Sequence, residues 1–203
     1  MPAKNNDLHG NAPENCPVAL LMVDVINDLE FEDGAKVLKQ ALPAAKRLAA
    51  LAKRARSAGI PVIYANDNFG KWRSDFRQTV EHCCNNDVRG RPIAELLKPE
   101  ESDYFVLKPK HSGFFSTTLE TLLKYLETET LILAGIATDM CLLFTASDAH
   151  MRDYHLIVPD DCSAAATSAD HNRAIELMKS KFEADTTPSD ELDLQKMLTP
   201  AST

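Results

Sequence analysis

The sequence lacks the features that mark several classes of protein. No apolar run is long enough to span a bilayer, and the polar N-terminal segment has no apolar core of the kind found in signal peptides. Lys and Arg number 22 against 30 Asp and Glu, and they are scattered along the chain, which argues against a nucleic-acid-binding surface. We therefore expect neither a membrane nor a nucleic-acid partner.

The chain also has no internal repeat, no low-complexity stretch and no linker that would divide it. Its 203 residues are 44% hydrophobic, which is enough apolar material for one sizeable core. We expect residues 17–203 to form a single domain and residues 1–16 to form a flexible N-terminal tail.

The cysteines lack a CxxC pair, although there are five of them: Cys16, Cys83, Cys84, Cys141 and Cys162. An odd number of cysteines without a secretion signal indicates reduced thiols and a cytoplasmic location. The run His82-Cys83-Cys84 is a weak metal candidate, because adjacent cysteines rarely ligate one ion together. We expect no metal site and no cofactor.

Short apolar runs alternate with segments of helical periodicity. The runs predict strands at 18–23, 61–65, 104–107, 131–134 and 155–158, with a short sixth strand near 184–187. Helices are predicted over 43–57, after a capping box at Thr117 and Glu120, over about 139–152 and over 169–182; the polar segment 66–92 holds one short helix. This alternation predicts an α/β fold, a three-layer α/β/α sandwich around an about six-stranded, mostly parallel, Rossmann-like sheet.

Three reactive side chains follow three of these strands. Open parallel sheets bind ligands beyond the carboxyl ends of their strands, which is where Asp24, Lys108 and Cys141 stand. Cys141 falls in the first turn of a predicted helix capped by Thr138 or Asp139, where a thiolate nucleophile is stabilised. Asp24 is placed to take the thiol proton. Taken singly, a Cys in an apolar helix is more often core filling, an Asp after a strand is often a turn or cap residue, and a Lys after a strand is usually solvated.

Four further residues are candidates for weak substrate contacts. Phe69, Trp72 and Arg73 lie in the polar segment that leaves the carboxyl end of the second strand, and His111 follows Lys108 closely. Trp72 is equally suited to a hydrophobic or subunit contact. His111 points either into the pocket or into solvent.

The same residues resemble the isochorismatase-like cysteine hydrolases, a family that includes nicotinamidases, N-carbamoyl amide hydrolases and isochorismatases. The stretches that carry the resemblance are LLMVDVINDL, VLKPKHSGF and GIATDMCLLFTASDA, within residues 17–190. The resemblance implies an Asp24–Lys108–Cys141 catalytic triad and a cis peptide bond between Ile136 and Ala137. It also implies an oxyanion hole made by the N–H groups of Ala137 and Cys141, and a homodimer or homotetramer.

The sequence departs from the family pattern in several places, two of which bear on substrate or metal binding. Ile26 stands where the family usually has Gln, which removes a polar group from the expected pocket wall. Nicotinamidases carry an Asp-x-His metal motif after the second strand, whereas this chain has Asn66, Asp67, Asn68 and Phe69 there. Zinc-dependent binding of a pyridine nitrogen is therefore not supported.

These features predict a metal-independent cysteine hydrolase that cleaves a C–N bond of a small amide or carbamoyl compound through a thioester. Two alternatives stay open. The first is an isochorismatase-type vinyl-ether hydrolase that uses Asp24 as an acid and needs no cysteine. The second is a catalytically weak binding protein on the same scaffold, because fold alone does not fix function.

Overall fold

The computed structural model of the chain describes residues 15–70 and 75–198. The strands are β1 (Val18–Val23), β2 (Val62–Asp67), β3 (Tyr104–Lys108), β4 (Thr130–Ile136), β5 (His155–Ile157) and β6 (Ser163–Ala164). Five of them form a parallel sheet in the order β3-β2-β1-β4-β5, and β6 pairs with the end of β4. The six-stranded parallel sheet is as predicted, although its sixth strand lies elsewhere in the sequence.

Helices cover both faces of the sheet. They are α1 (Gly34–Ser57), α2 (Phe76–Asn85), α3 (Arg91–Leu96), α4 (Leu119–Tyr125), α5 (Leu143–His150), α6 (Ser168–Lys181) and α7 (Leu194–Met197). No helix in the described ranges is long and apolar enough to cross a membrane. Because both faces are covered, the three-layer α/β/α sandwich predicted from the sequence is confirmed.

The central strand β1 shows why the layers form. All six of its side chains are buried, and they alternate between two cores because successive residues of a strand point to opposite faces. Leu20 and Met22 pack into the core beneath α1, while Leu21 and Val23 pack into the core beneath α4, α5 and α6. A continuous apolar run is therefore the pattern that a strand between two helical layers requires.

The strand order creates a topological switch point between β1 and β4. From β1 the chain proceeds outward through β2 and β3, whereas β4 and β5 lie on the other side. The two central strands are in register, with Val23 opposite Gly135, so both end at the same level. Ligands of open α/β sheets bind in the crevice at such a point.

Two helix predictions were wrong in extent. Helix α1 begins at Gly34 rather than Pro43, because Val37 and Ala41 extend its buried face and Pro43 is accommodated inside the helix. The polar segment 66–92 holds α2 and the start of α3 rather than one short helix. Phe76 and Ile93 give these helices an apolar face that packs into the core.

Two further local predictions were also wrong. The sixth strand is Ser163–Ala164, and the segment near 184–187 contributes only a single bridge from Asp185 to Ile157, since the Asp185 carboxylate accepts from the backbone and hydroxyl of Thr187 and turns the chain. The capping box does not form. Instead of capping α4, Glu120 binds Lys124 and Arg152.

The buried thiols of Cys83 and Cys162 make the fold sensitive to alkali. Burial raises the pKa of each to about 12, against an ordinary value of 9.0. A raised folded-state pKa gives stability that is fully present below pH 9 and is lost as the pH rises through the folded value. We expect the free energy of unfolding to fall by about 3 kcal/mol per pH unit between pH 9 and 12 from these two groups. Urea denaturation at pH 9, 10 and 11 measures the slope, and replacing both cysteines by Ala should make it less steep by that amount; an unchanged slope would contradict this origin.

Candidate active site

The side chains of Asp24, Lys108 and Cys141 meet at the switch point. The Lys108 ammonium lies 2.7 Å from Oδ2 of Asp24 and 3.5 Å from Sγ of Cys141. Lys108 is fully buried, and Asp24 is 5% exposed. The structure therefore brings together a carboxylate, an ammonium and a thiol that come from three separate strand ends.

The Asp24 carboxylate is held by the end of the neighbouring strand. Asp24 has a φ of +50°, and its Oδ1 accepts the backbone N–H of Asp67 at 2.7 Å. The buried Asn66 side chain donates to the carbonyl of Ile26 and accepts its N–H, at 2.8 and 3.2 Å. Together these bonds tie the chain after β1 to the end of β2, so the carboxylate has a fixed direction. Gly135 allows the close approach of β4, because a Cβ there would overlap the carbonyl oxygen of Val23.

Cys141 lies in a π-helical turn, Thr138–Leu142, that joins β4 to α5. The prediction that Thr138 or Asp139 caps this helix was wrong, because neither side chain bonds its first N–H groups; the Thr138 hydroxyl pairs instead with Nδ1 of His171 at 2.9 Å. The peptide bond between Ile136 and Ala137 is cis. Within the described ranges the N–H of Ala137 donates to no protein acceptor, which leaves it available to a substrate oxygen.

Burial sets the protonation of the three groups. Burial raises the pKa of the Asp24 carboxyl more than the attraction of Lys108 lowers it. Burial and the Asp24 charge raise the pKa of the Cys141 thiol to about 12, again outweighing Lys108. For Lys108, burial acts to lower the pKa, but the negative charges of Asp24 and Cys141 outweigh it and raise the value.

The expectation of a resting thiolate was therefore wrong. One ammonium compensates one negative charge, so Asp24 and Cys141 together retain a proton, and a second ionisation would leave an uncompensated buried charge. The thiolate forms only when the thiol proton moves to a neighbouring group. A thiol and a carboxylate that share one ammonium have an arrangement suited to a nucleophile and its base.

A cleft of about 420 Å³ opens above Cys141. Its walls include two of the predicted contact residues, Phe69 and His111, and also Phe31 and Met140. Phe69 is 41% exposed, which leaves its ring free to contact a ligand. The other two predicted contact residues, Trp72 and Arg73, lie outside the described residues, as does most of the predicted N-terminal tail.

The two departures from the family pattern have different structural outcomes. The Ile26 side chain is fully buried in the core beneath α1 and does not line the cleft, so the missing Gln leaves no gap in the cleft wall. At the place of the nicotinamidase metal motif, the Asn66 amide is already engaged and Asn68 accepts the N–H of Gly70. These residues do not fit a metal site, and the described ranges contain no group of three or more His, Cys, Asp or Glu that could hold an ion.

A threonine that no sequence pattern indicates links two parts of the site. The buried Thr145 hydroxyl donates to the carbonyl of Cys141 at 2.7 Å and accepts the N–H of Gly113 at 3.0 Å. It therefore ties the turn that holds Cys141 to the segment that follows Lys108. Such a contact joins residues 32 positions apart, and only their shared packing reveals it.

Replacing Thr145 by Val should loosen this link. The new methyl group leaves the buried N–H of Gly113 without an acceptor, at a cost of about 1–3 kcal/mol in the free energy of unfolding. Urea denaturation measures that cost. Thr145→Ser keeps the hydroxyl and serves as the matched control, and equal stability of the Val and Ser variants would contradict the link.

Comparisons with known proteins find relatives that match most of the described chain. The isochorismatase domain model matches residues 18–191. An uncharacterized isochorismatase family protein, YaaI of Bacillus subtilis, is 37% identical over 86% of this chain and 95% of that protein. A probable inactive nicotinamidase of Arabidopsis thaliana is 33% identical over 79% and 87%. The solved structure of N-carbamoylsarcosine amidase from Thermoplasma acidophilum has a TM-score of 0.68 and 25% identity over 87% of this chain and 98% of that one. The chain belongs to the isochorismatase family of hydrolases.

Proposed function

We propose that this chain is a metal-independent cysteine hydrolase that cleaves the C–N bond of a small amide or carbamoyl compound through a thioester. The observation that carries the proposal is the buried Lys108 ammonium in contact with both Asp24 and the Sγ of Cys141, two residues that line the cleft. A thiol that lines a cleft beside a base has the setting of a nucleophile rather than of core filling.

In the first half-reaction, the thiol proton moves to the Asp24 carboxylate and Sγ attacks the carbonyl carbon. The carbonyl oxygen becomes negative and accepts the N–H groups of Ala137 and Cys141, which act as the oxyanion hole. The C–N bond then breaks, and the departing nitrogen takes the proton from Asp24 and leaves as ammonia or an amine. Lys108 keeps its positive charge throughout and compensates whichever of the two acids is ionised.

In the second half-reaction, water replaces the amine in the cleft. Asp24 accepts a proton from the water as its oxygen attacks the thioester carbon. The C–S bond breaks, the proton returns to Sγ, and the carboxylic or carbamic acid is released. The sum is one amide and one water converted to one acid and one amine.

A panel of small amides, ureas and N-carbamoyl compounds tests the proposal by ammonia release. A cleft of about 420 Å³ suits ligands of that size. N-carbamoyl compounds come first in the panel, since the N-carbamoylsarcosine amidase shares the fold at 25% identity. Release of ammonia above the rate of a denatured sample supports the proposal, and silence across the panel favours the weak binding protein, in keeping with the relative named as probable inactive.

The raised pKa of Asp24 favours one second candidate, vinyl-ether cleavage with Asp24 as the acid. A carboxyl must hold its proton to protonate an enol ether, and burial makes that easier. Isochorismate assayed with the Cys141→Ala variant separates the two reactions. Retained activity in that variant assigns vinyl-ether cleavage, because only the amide route needs the sulfur.

A further inference from the structure

His111 contacts the nucleophile from the solvent side of the cleft. Its Nδ1 lies 3.8 Å from Sγ of Cys141, within hydrogen-bonding reach of a sulfur atom. The ring stacks on Phe144, with centroids 5.5 Å apart and planes 29° from parallel, which fixes its orientation. Unlike the buried Asp24 and Lys108, His111 is exposed. It is thus a titratable group that touches both the sulfur and water.

The charge balance of the site indicates that the contact between His111 and Cys141 can serve for proton transfer. Because burial disfavours net charge, the Cys141 proton leaves most easily to a group that stays nearby, so that total charge is unchanged. Asp24 is one such acceptor. A neutral imidazole with its proton on Nε2 is the other, and proton transfer to Nδ1 would produce a compensated thiolate–imidazolium pair.

The cleft that His111 lines contains more acidic than basic side chains. The acidic residues are Asp24, Asp33, Asp67 and Asp139, which come from four different segments. The opposing cations are Lys108, which is paired with Asp24, and Lys110, which is exposed on the same segment as His111. Imidazole is also the side chain that ordinarily gains and loses protons between pH 5 and 8.

We propose that His111 is a second catalytic base, which accepts the proton of Cys141 and holds it beside the thiolate. The S–H bond breaks and Nδ1 gains the proton, so the total charge of the site is unchanged. Once the sulfur has bonded to carbon, the imidazolium gives a proton to the departing nitrogen or, in alkylation, to water. The proposal rests on Cys141 being the nucleophile. His111 shares the removal of the thiol proton with Asp24. The exposed His111 exchanges protons directly with water, whereas the buried Asp24 does not.

Alkylation of Cys141 by iodoacetamide tests this step without any substrate. Cys141 is the one cysteine of the five, all within the described ranges, that is not buried, so the labelled peptide is identified by mass. In His111→Phe, which keeps a ring against Phe144, we expect the rate at pH 7 to fall about tenfold or more. His155→Phe is the control, since the exposed His155 begins β5 at the opposite edge of the sheet.

Chemical rescue separates proton transfer from packing. In His111→Ala, added imidazole should restore much of the alkylation rate and should leave wild type and His111→Phe unaffected. Wild-type rates in His111→Phe across pH 5.5–9, or a slow His111→Ala variant that imidazole does not restore, would overturn the proposal. Ammonia release is assayed separately, so a failure to find a substrate leaves the alkylation result intact.

Discussion

Replacing Cys141 by Ala is expected to abolish ammonia release from any amide that the wild type hydrolyses. In the proposed mechanism the sulfur forms the bond that replaces C–N, and no other side chain of the site takes that role. Removing the nucleophile of a catalytic triad lowers kcat by about 10⁴-fold or more. Steady-state ammonia release with equal concentrations of folded wild type and variant measures the loss.

The loss must be chemical rather than structural. Cys141 is partly exposed at the floor of the cleft, so the Ala variant should keep its melting temperature to within a few degrees. Cys162→Ala is the matched control, because Cys162 follows β5 at the same edge of the sheet but is buried and does not line the cleft. It should lose stability and keep its kcat.

Trapping the acyl-enzyme provides a direct test of the same mechanism. Wild-type protein quenched with acid during turnover should carry the acyl group on Cys141, detectable as an added mass on one peptide, whereas the Ala variant should carry none. Full turnover by Cys141→Ala would falsify nucleophilic catalysis by this residue. It would leave Asp24 as the reactive group and vinyl-ether chemistry as the function to pursue.

The sequence predicts the architecture well because each layer has a local signature. The six-residue run Val18–Val23 is apolar throughout, as a strand covered on both faces must be. The residues after β1, β3 and β4 converge because parallel strands end at one edge, and Asp24, Lys108 and Cys141 indeed meet there. Pattern and topology together were therefore sufficient to propose the site.

The sequence does not reveal what depends on burial and on distant contacts. A thiol beside a lysine suggests a thiolate. The partial burial of Cys141 and the charge of Asp24 instead raise the pKa of the thiol to about 12, so it stays protonated. The link through Thr145 and the pairing of Thr138 with His171 join segments about thirty residues apart. These groups were missed because no local spacing relates them.

Replacing Lys108 by Met is expected to destabilise the protein and inactivate it together. The ammonium is the cation in contact with Asp24, and Met fills a similar volume without charge. Removing one partner of a buried ion pair costs about 3–5 kcal/mol in the free energy of unfolding, because the other charge is left uncompensated. Urea denaturation at pH 7 measures this cost, and ammonia release measures the activity.

The stability loss should depend on pH in a defined direction. The pKa of Asp24 is already raised above 3.8 by burial, and without Lys108 it rises further. A group with a raised folded-state pKa contributes stability that is fully present below its unfolded value and is lost as the pH rises through the folded value. The loss of stability ends near the folded-state pKa of Asp24, and that pKa is lower in wild type, where Lys108 is present, than in the variant. The difference in stability between the two should therefore be smallest near pH 4 and widen as the pH rises.

A double variant separates the charge imbalance from the catalytic role of Lys108. Asp24→Asn combined with Lys108→Met removes both charges from the site, so the uncompensated carboxylate of the single variant no longer exists. We expect the double variant to regain most of the lost stability and to lose the pH dependence that Asp24 causes. Hydrolysis should stay absent, because no carboxylate activates the water that attacks the thioester. Stability that stays low in the double variant would show that Lys108 acts through packing. Hydrolysis by the double variant would contradict the role of Asp24 as a base, because the Asn side chain at that position cannot accept a proton.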